Sequence, residues 1–315
     1  MAGALPRALA AQGAEVRVLL PAYPGVVERL GDVHHVATVP DLFGGHGRLV
    51  HGRTAARLEI LALAAAHLYD RPGNPYLGPD GRDWPDNHLR FAALSWVGSR
   101  IGLGALGDFA PDLVHAHDWQ SGLTPAYLAF AGDPRPPTVM TVHNIAFAGL
   151  FPAALLPDLR LPPASFTVAG LEYYGQISFL KAGLQYADHL TTVSPTYARE
   201  IRTAAQGMGL DGVLRQRASA LSGITNGIDV ETWNPASDPQ IEATYDARRL
   251  KPKALNKRSV QSRFALEPRA DAPLFCVISR LTEQKGLDLL LEALPVLLAG
   301  GGQLAVLGTG DPDLE

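Results

Sequence analysis

Short apolar runs separated by helical stretches constrain the fold of this chain more than any other feature. Glu15-Val-Arg-Val-Leu-Leu, Asp112-Leu-Val-His-Ala-His, Thr138-Val-Met-Thr-Val-His, His189-Leu-Thr-Thr-Val-Ser, Leu274-Phe-Cys-Val-Ile-Ser and Gln303-Leu-Ala-Val-Leu-Gly read as strands. Helical patterns cover residues 3–12, Asn87–Leu103, Gln176–Tyr186 and Leu287–Leu298. Strands and helices in alternation build parallel sheets covered on both faces. The expected fold class is α/β, doubly wound. No repeat, heptad or low-complexity tract interrupts it.

Residues 232–251 break the rhythm. Trp233-Asn-Pro and Asp238-Pro are turn signals, and Lys251-Pro ends a polar stretch before a helix resumes near Ala254. The expected organisation is a first domain over 1–235, a linker over 236–252 and a second domain over 253–315. With 315 residues, 47% of them hydrophobic and 18% charged, the chain can fill two globular cores. The second segment nevertheless holds only two strands, too few for a core of its own, so it is expected to be cut short. The first helix lacks the strand and Gly-containing turn that usually precede it in a doubly wound sheet, which raises the same expectation at the front.

A formal net charge of −4 without a Lys/Arg cluster excludes a nucleic-acid footprint. No apolar run approaches the ~20 residues of a membrane span, and the start lacks the basic-then-apolar order of a secretory leader. A soluble small substrate and a cytoplasmic location are expected. The one cysteine, Cys276, can form no internal disulfide and is expected to be a buried, inert thiol.

Open parallel sheets bind ligands beyond the carboxyl ends of their strands. Five of the runs deliver polar or Gly residues there: Asp118-Trp119, His143-Asn144, Ser194-Pro195, Arg280, and Gly308-Thr-Gly-Asp311. Arg280 and Lys285 stand in a turn before an apolar helix, where both can reach one diphosphate. The same spacing also suits a solvated loop in which Lys285 pairs with Glu283. Gly308 and Gly310 fit a phosphate-approach turn and equally a structural one. The fuller Gly-x-Gly-x-x-Gly fingerprint of a dehydrogenase is absent. Asp118 and His143 can share a crevice and bind sugar hydroxyls or handle protons. His115 and His117 lie on one strand face, but no third metal ligand is evident, and such strand histidines are usually satisfied core residues. Asn226 belongs to the turn Asn226-Gly-Ile-Asp229. Tyr76 suits stacking on a sugar ring and, equally, a plain surface loop.

Together these segments resemble the bacterial glycogen synthase and plant starch synthase family. The resemblance is carried by Gly3-Ala-Leu-Pro-Arg-Ala-Leu, Val16-Arg-Val-Leu-Leu-Pro-Ala-Tyr-Pro, Asp70-Arg-Pro-Gly-Asn-Pro-Tyr, His115-Ala-His-Asp-Trp-Gln and Thr141-Val-His-Asn-Ile-Ala-Phe-Ala-Gly-Leu-Phe. Thr192-Val-Ser-Pro-Thr-Tyr-Ala, Gly223-Ile-Thr-Asn-Gly-Ile-Asp, Trp233-Asn-Pro and Ser279-Arg-Leu-Thr-Glu-Gln-Lys-Gly extend it in order. It implies a B-type glycosyltransferase: two Rossmann-like doubly wound domains, the second incomplete here. The implied reaction moves glucose from ADP-glucose to the non-reducing end of an α-1,4-glucan with retention of configuration, and requires neither metal nor cofactor. Arg280 and Lys285 match the pair that holds the donor diphosphate, and His143 the histidine beside the transferred glucose. Asp118 matches an acidic residue of the same cleft, Asn226 a sugar-contacting asparagine and Tyr76 a cleft tyrosine. Asn144, Gly308 and Gly310 complete the expected substrate-binding set. A Lys-Thr-Gly-Gly loop at the front and a Glu with a Gly-rich turn beyond residue 315 are family features absent here, so the chain as given is expected to be inactive or nearly so. A related transferase using UDP-glucose and a non-catalytic glucan-binding module are the alternative readings.

Overall fold

Residues 3–314 are described by the computed structural model, in which the chain divides into two units, Met1–Gly227 and Ile228–Glu315. The first opens on helix α1 (Leu5–Ala11), which has no side-chain cap but carries Pro6 in its first turn, where a missing N–H costs nothing. Strand β1 (Arg17–Pro21) comes next and is joined by β2 (Gly31–Val39), β3 (Gly47–Arg53) and β4 (Glu59–Ala64) in the order β1-β4-β3-β2. β1 and β4 run parallel, whereas β3 is antiparallel to both its neighbours. This sheet is therefore mixed, a correction to the all-parallel expectation. An antiparallel edge on a parallel sheet is common among α/β folds. Strands β2–β4 are not among the expected strands, although Ile60–Leu63 is a buried aliphatic run of the same kind as the others.

The short helix α2 (Ala66–Tyr69) and a long loop lead into α3 (Asn87–Gly102). Helix α3 is buried around most of its circumference, against α4 (Leu123–Ala131) and β1. Small residues at Ala92, Ala93, Ser95, Ser99 and Gly102 let its neighbours approach from several sides. Between these helices lies β5 (Val114–His117), and after them come β6 (Thr138–Val142) and a small antiparallel sheet of β7 (Leu150–Pro152), β8 (Glu172–Tyr173) and β9 (Gln176–Ser178). Helix α5 (Phe179–Tyr186), β10 (His189–Thr192), α6 (Pro195–Glu200), α7 (Asp211–Gln216) and β11 (Leu221–Gly223) complete the unit. The single helix expected over Gln176–Tyr186 is corrected. Its first three residues pair as β9 instead, and the helix starts only where the Ser178 hydroxyl accepts the Lys181 N–H at 3.1 Å.

The second sheet of this unit, β11-β10-β6-β5, is parallel throughout. Its lower edge is pinned by Asp188. Both Arg135 Nη groups donate to its carboxylate at 2.8 and 2.9 Å, and the Thr138 N–H and hydroxyl donate at 2.7 and 2.8 Å. The Arg135 hydrogen bonds are the main reason that the carboxyl is held well below the usual carboxylate range. A depressed carboxyl stabilises the fold above its unfolded value, about 3.9, and loses that contribution as pH falls through the folded one. Asp188→Asn is thus expected to lower the thermal midpoint at pH 7, with the gap to the unaltered protein closing below about pH 4. A gap of equal size at both pH values would refute the assignment.

In the second unit, α8 (Lys253–Arg263) and α9 (Leu287–Ala299) accompany two parallel strands, β12 (Leu274–Ile278) and β13 (Gln303–Leu307). Two buried amides lock α8 to β13: Gln261 Nε2–H donates to Gln303 Oε1 at 2.7 Å, and Gln303 Nε2–H to the Glu267 carbonyl at 2.7 Å. Cys276 is exposed, which corrects the expected buried thiol. Among the described residues β12 and β13 are the only strands of this sheet, and Phe275, Cys276, Ile278 and Leu307 are exposed on them. No helix among the described residues is long and apolar enough to cross a membrane.

Candidate functional site

Because β5, β6, β10 and β11 are parallel and adjacent, their carboxyl ends form one rim. Asp118 comes directly after β5, with backbone φ 52° and ψ −172°. That region is essentially reserved for glycine and costs of order 1–3 kcal/mol for another residue; its occupation marks a site over-determined by its surroundings. The Asp118 N–H donates to the Thr141 carbonyl at 2.9 Å, extending the β5–β6 pairing. Its carboxylate accepts the His143 N–H at 2.7 Å and also the Asn144 N–H. Burial raises the Asp118 carboxyl above its ordinary value, opposed by these hydrogen bonds and by the nearby His143. With both backbone N–H groups on it, the carboxylate first of all shapes the His143–Asn144 turn.

The His143 ring meets His117, Nε2 to Nδ1 at 3.1 Å, and His117 stacks on His115 with centroids 4.2 Å apart. Burial drives the His117 imidazole down to about 3, with His115 and His143 contributing, and lowers that of His115 as well. His115 is the satisfied strand histidine anticipated, bonded to Thr141 Oγ1 at 2.6 Å. His117 is not: its ring partner is the candidate His143. Among the described residues no group of three or more His, Cys, Asp or Glu side chains is placed to hold a metal ion.

Tyr76 stands beside the same rim. Gln120 Nε2–H donates to its hydroxyl at 2.8 Å, and its ring lies 6.0 Å from Trp119 and 5.8 Å from Phe91. Its backbone is strapped too. Asn87 Nδ2–H donates to the Tyr76 carbonyl at 3.0 Å, and the buried Arg90 donates to the Pro75 carbonyl at 3.0 Å. At 39% exposure Tyr76 is held, yet open on one side. An aromatic face with a fixed hydroxyl suits a sugar ring.

The structure thus brings Tyr76, Asp118, His143 and Asn144 together. Asn226 is exposed past β11, on the same rim but at its far strand. Ser194, another strand-end residue, is used as the α6 cap and accepts the Tyr197 N–H at 2.9 Å. His117 and Gln120 are site residues that the sequence did not reveal. The alternation of His115 and His117, and the place of Gln120 two residues after Asp118, were the only sequence signals for them.

Arg280, Lys285, Gly308 and Gly310 belong to the second unit. The segments after β12 and β13 run side by side there, with the Leu281 N–H on the Thr309 carbonyl at 3.0 Å and the Asp311 N–H on the Leu281 carbonyl at 2.8 Å. This close approach alone demands glycine. A Cβ on Gly308 would lie 1.9 Å from the Ser279 carbonyl oxygen, and one on Gly310 2.1 Å from that of Leu281. Arg280 and Lys285 are exposed, and among the described residues neither pairs with a carboxylate, Glu283 included. Lys285 directly precedes Gly286, whose left-handed φ of 68° starts α9.

Residues 1–216 match the family described as starch synthase catalytic domain. Glycogen synthase of Rhodopseudomonas palustris (strain ATCC BAA-98 / CGA009) is 58% identical over 315 residues, covering 100% of this chain and 65% of the relative. Glycogen synthase of Acidiphilium cryptum (strain JF-5) is 55% identical over 313 residues, 99% of this chain and 65% of the relative. The catalytic domain of Starch Synthase IV from Arabidopsis thaliana, solved bound to ADP and acarbose, superposes with a TM-score of 0.86 at 29% identity, covering 98% of this chain and 64% of that one. The chain therefore spans about 65% of the length of the curated relatives it matches. On the match across 1–216 and the α/β architecture shared with the plant enzyme, this chain belongs to the starch synthase catalytic-domain family, with the B-type glycosyltransferase fold.

Proposed function

We infer that the chain serves a glucosyltransferase that extends an α-1,4-glucan at its non-reducing end from ADP-glucose, with retention of configuration. The observation that carries this reading is the rim at Asp118, His143 and Tyr76: a glycine-like backbone held at an aspartate, an imidazole beside it and a half-exposed aromatic ring, in a member of this family. His143 and Asn144 are assigned to the transferred glucose, and Asp118 to holding their turn in the cleft. Tyr76 and Asn226 are assigned to sugar contacts. In the second unit Arg280 and Lys285 are assigned to the diphosphate, and Gly308 and Gly310 to the turn that lets backbone approach it. As ADP leaves, negative charge builds on its phosphates, and fixed cations stabilise that charge in the transition state. Retention by a front-face route needs no protein nucleophile and no metal.

The division of labour runs along the chain: residues 1–235 on the acceptor side, a linker at 236–252, and nucleotide-sugar binding from 253 on, in the cytoplasm. The plant relative's bound ADP supports an adenine nucleotide as the leaving group. The test offers labelled ADP-glucose and UDP-glucose with glycogen, and tracks incorporation together with the binding of each nucleotide sugar. Incorporation or tighter binding with ADP-glucose is expected. A preference for UDP-glucose would favour the related transferase instead, and glucan binding with no affinity for either donor would leave a carbohydrate-binding module.

A further inference from the structure

Three imidazoles lie in a row from β5 to the end of β6. His115 stacks on His117 with centroids at 4.2 Å, and His117 on His143 at 5.3 Å, both pairs within 30° of parallel. Strand alternation puts His115 and His117 on one face, and the pairing of His117 with Thr141 sets His143 just past the end of the ladder. The far end is anchored, since His115 Nε2 is bonded to Thr141 Oγ1 and that hydroxyl to Thr191 Oγ1. At the near end Nδ1 of His117 lies 3.1 Å from Nε2 of His143, and the His117 backbone is fixed by its N–H on Ser121 Oγ at 2.6 Å.

A hydrogen bond between two neutral imidazoles uses one proton, so one ring donates and the other accepts. The tautomer of one ring then dictates that of the other. Nε2 of His143 is occupied in this way, which leaves Nδ1 as its ring nitrogen without a protein partner among the described residues. The other titratable groups around His143 are the Asp118 carboxylate, which accepts its backbone N–H, His115 along the stack, and Tyr197, whose hydroxyl accepts the Ile145 N–H at 3.1 Å. Burial keeps His117 neutral, so it acts as a hydrogen-bond partner and not as a proton carrier.

We propose that His117 is the positioning residue for His143: through the Nδ1–Nε2 hydrogen bond it fixes the ring's orientation and tautomer, so that His143 meets the sugar through Nδ1 alone. The sugar contact rests on the function inferred above; the tautomer lock does not.

Nitrogen-15 NMR of the imidazoles reads the lock directly, with the His143 signals assigned by their loss in His143→Gln. One tautomer is expected for His143 in the unaltered chain. His117→Phe keeps a stacked ring without the nitrogen and is expected to release His143 into a mixture of both tautomers. His117→Asn, whose amide falls where Nδ1 was, is expected to restore a single form. Should the Phe variant fail to fold, His117→Gln, whose amide reaches past that position, takes its place with the same expectation. A mixture in the unaltered chain, or a single tautomer after the Phe or Gln change, overturns the proposal. In parallel, kcat for transfer from ADP-glucose should fall about 10- to 100-fold in the Phe variant with KM for the glucan little changed, and recover in the Asn variant. Full transfer by the Phe variant also overturns it. Absence of transfer by the unaltered chain, which spans about 65% of the length of its relatives, leaves the tautomer readout to decide the lock.

Discussion

In a version of the enzyme extended to the full length of its relatives, replacing Arg280 and Lys285 together with alanine is expected to lower glucosyl transfer from ADP-glucose by at least about 10²- to 10³-fold, the usual cost of removing fixed charge stabilisation from a transition state. Both side chains are exposed and, among the described residues, unpaired with carboxylates, so neither holds the described fold together. Surface changes of this kind usually move stability by no more than about 0.5 kcal/mol. The thermal midpoint should therefore stay put while transfer and ADP affinity collapse. The two cations are not equivalent. Arg280 lies just past β12, where the neighbouring segment carries Gly308 and Gly310, and its planar fork can bind two phosphate oxygens at once. Lys285 precedes the α9 N-terminus, whose open N–H groups already favour an anion. Arg280→Lys is accordingly expected to recover only part of the loss, whereas Lys285→Arg should recover more. Full transfer by the double alanine variant, measured as glucose incorporated into glycogen, would remove the diphosphate assignment.

How far the sequence could lead depended on whether a signal was local. The runs ending at Asp118, His143, Arg280 and Gly308 were legible because a buried parallel strand is a continuous aliphatic run, and the residues just past its carboxyl end fall on the ligand side of the sheet. The β2–β3 hairpin was not, since β2 is exposed over Gly31–His35 and Gly, Arg and His residues interrupt β3, so neither strand is a continuous aliphatic run. Gln176–Ser178 looked helical by continuity with the apolar helix after it; only the pairing with β7 and β8 makes it a strand. Cys276 shows the limit of composition. Its run is as apolar as any, but burial depends on what covers the strand, which no local pattern records. The same holds within the site. The bond of Gln120 to Tyr76 joins residues 44 apart in sequence, and that of His117 to His143 residues 26 apart, so neither pair could be read without the fold.

Asp118 offers the sharpest test of how the rim is built, because its two properties can be separated by substitution. Asp118→Ala removes the acceptor for the His143 and Asn144 N–H groups while keeping a Cβ in the glycine-only backbone region. Asp118→Gly loses the same acceptor but releases the strain, of order 1–3 kcal/mol, against about 0.5–1 kcal/mol of added chain entropy in the unfolded state. The glycine variant is therefore expected to be the more stable of the two, by about 1–2 kcal/mol or roughly 2–8 °C in thermal midpoint for a unit of this size. Normally glycine is the worse replacement, so the order itself is diagnostic. Both variants should lose transfer alike, since the His143–Asn144 turn has lost its anchor in each, and Asp118→Asn, which keeps one acceptor oxygen, should fall between them and the unaltered protein in activity. An alanine variant more stable than the glycine one by about 0.5–1 kcal/mol would mean that the backbone at 118 carries no strain, and the rim would then owe its shape to the carboxylate alone.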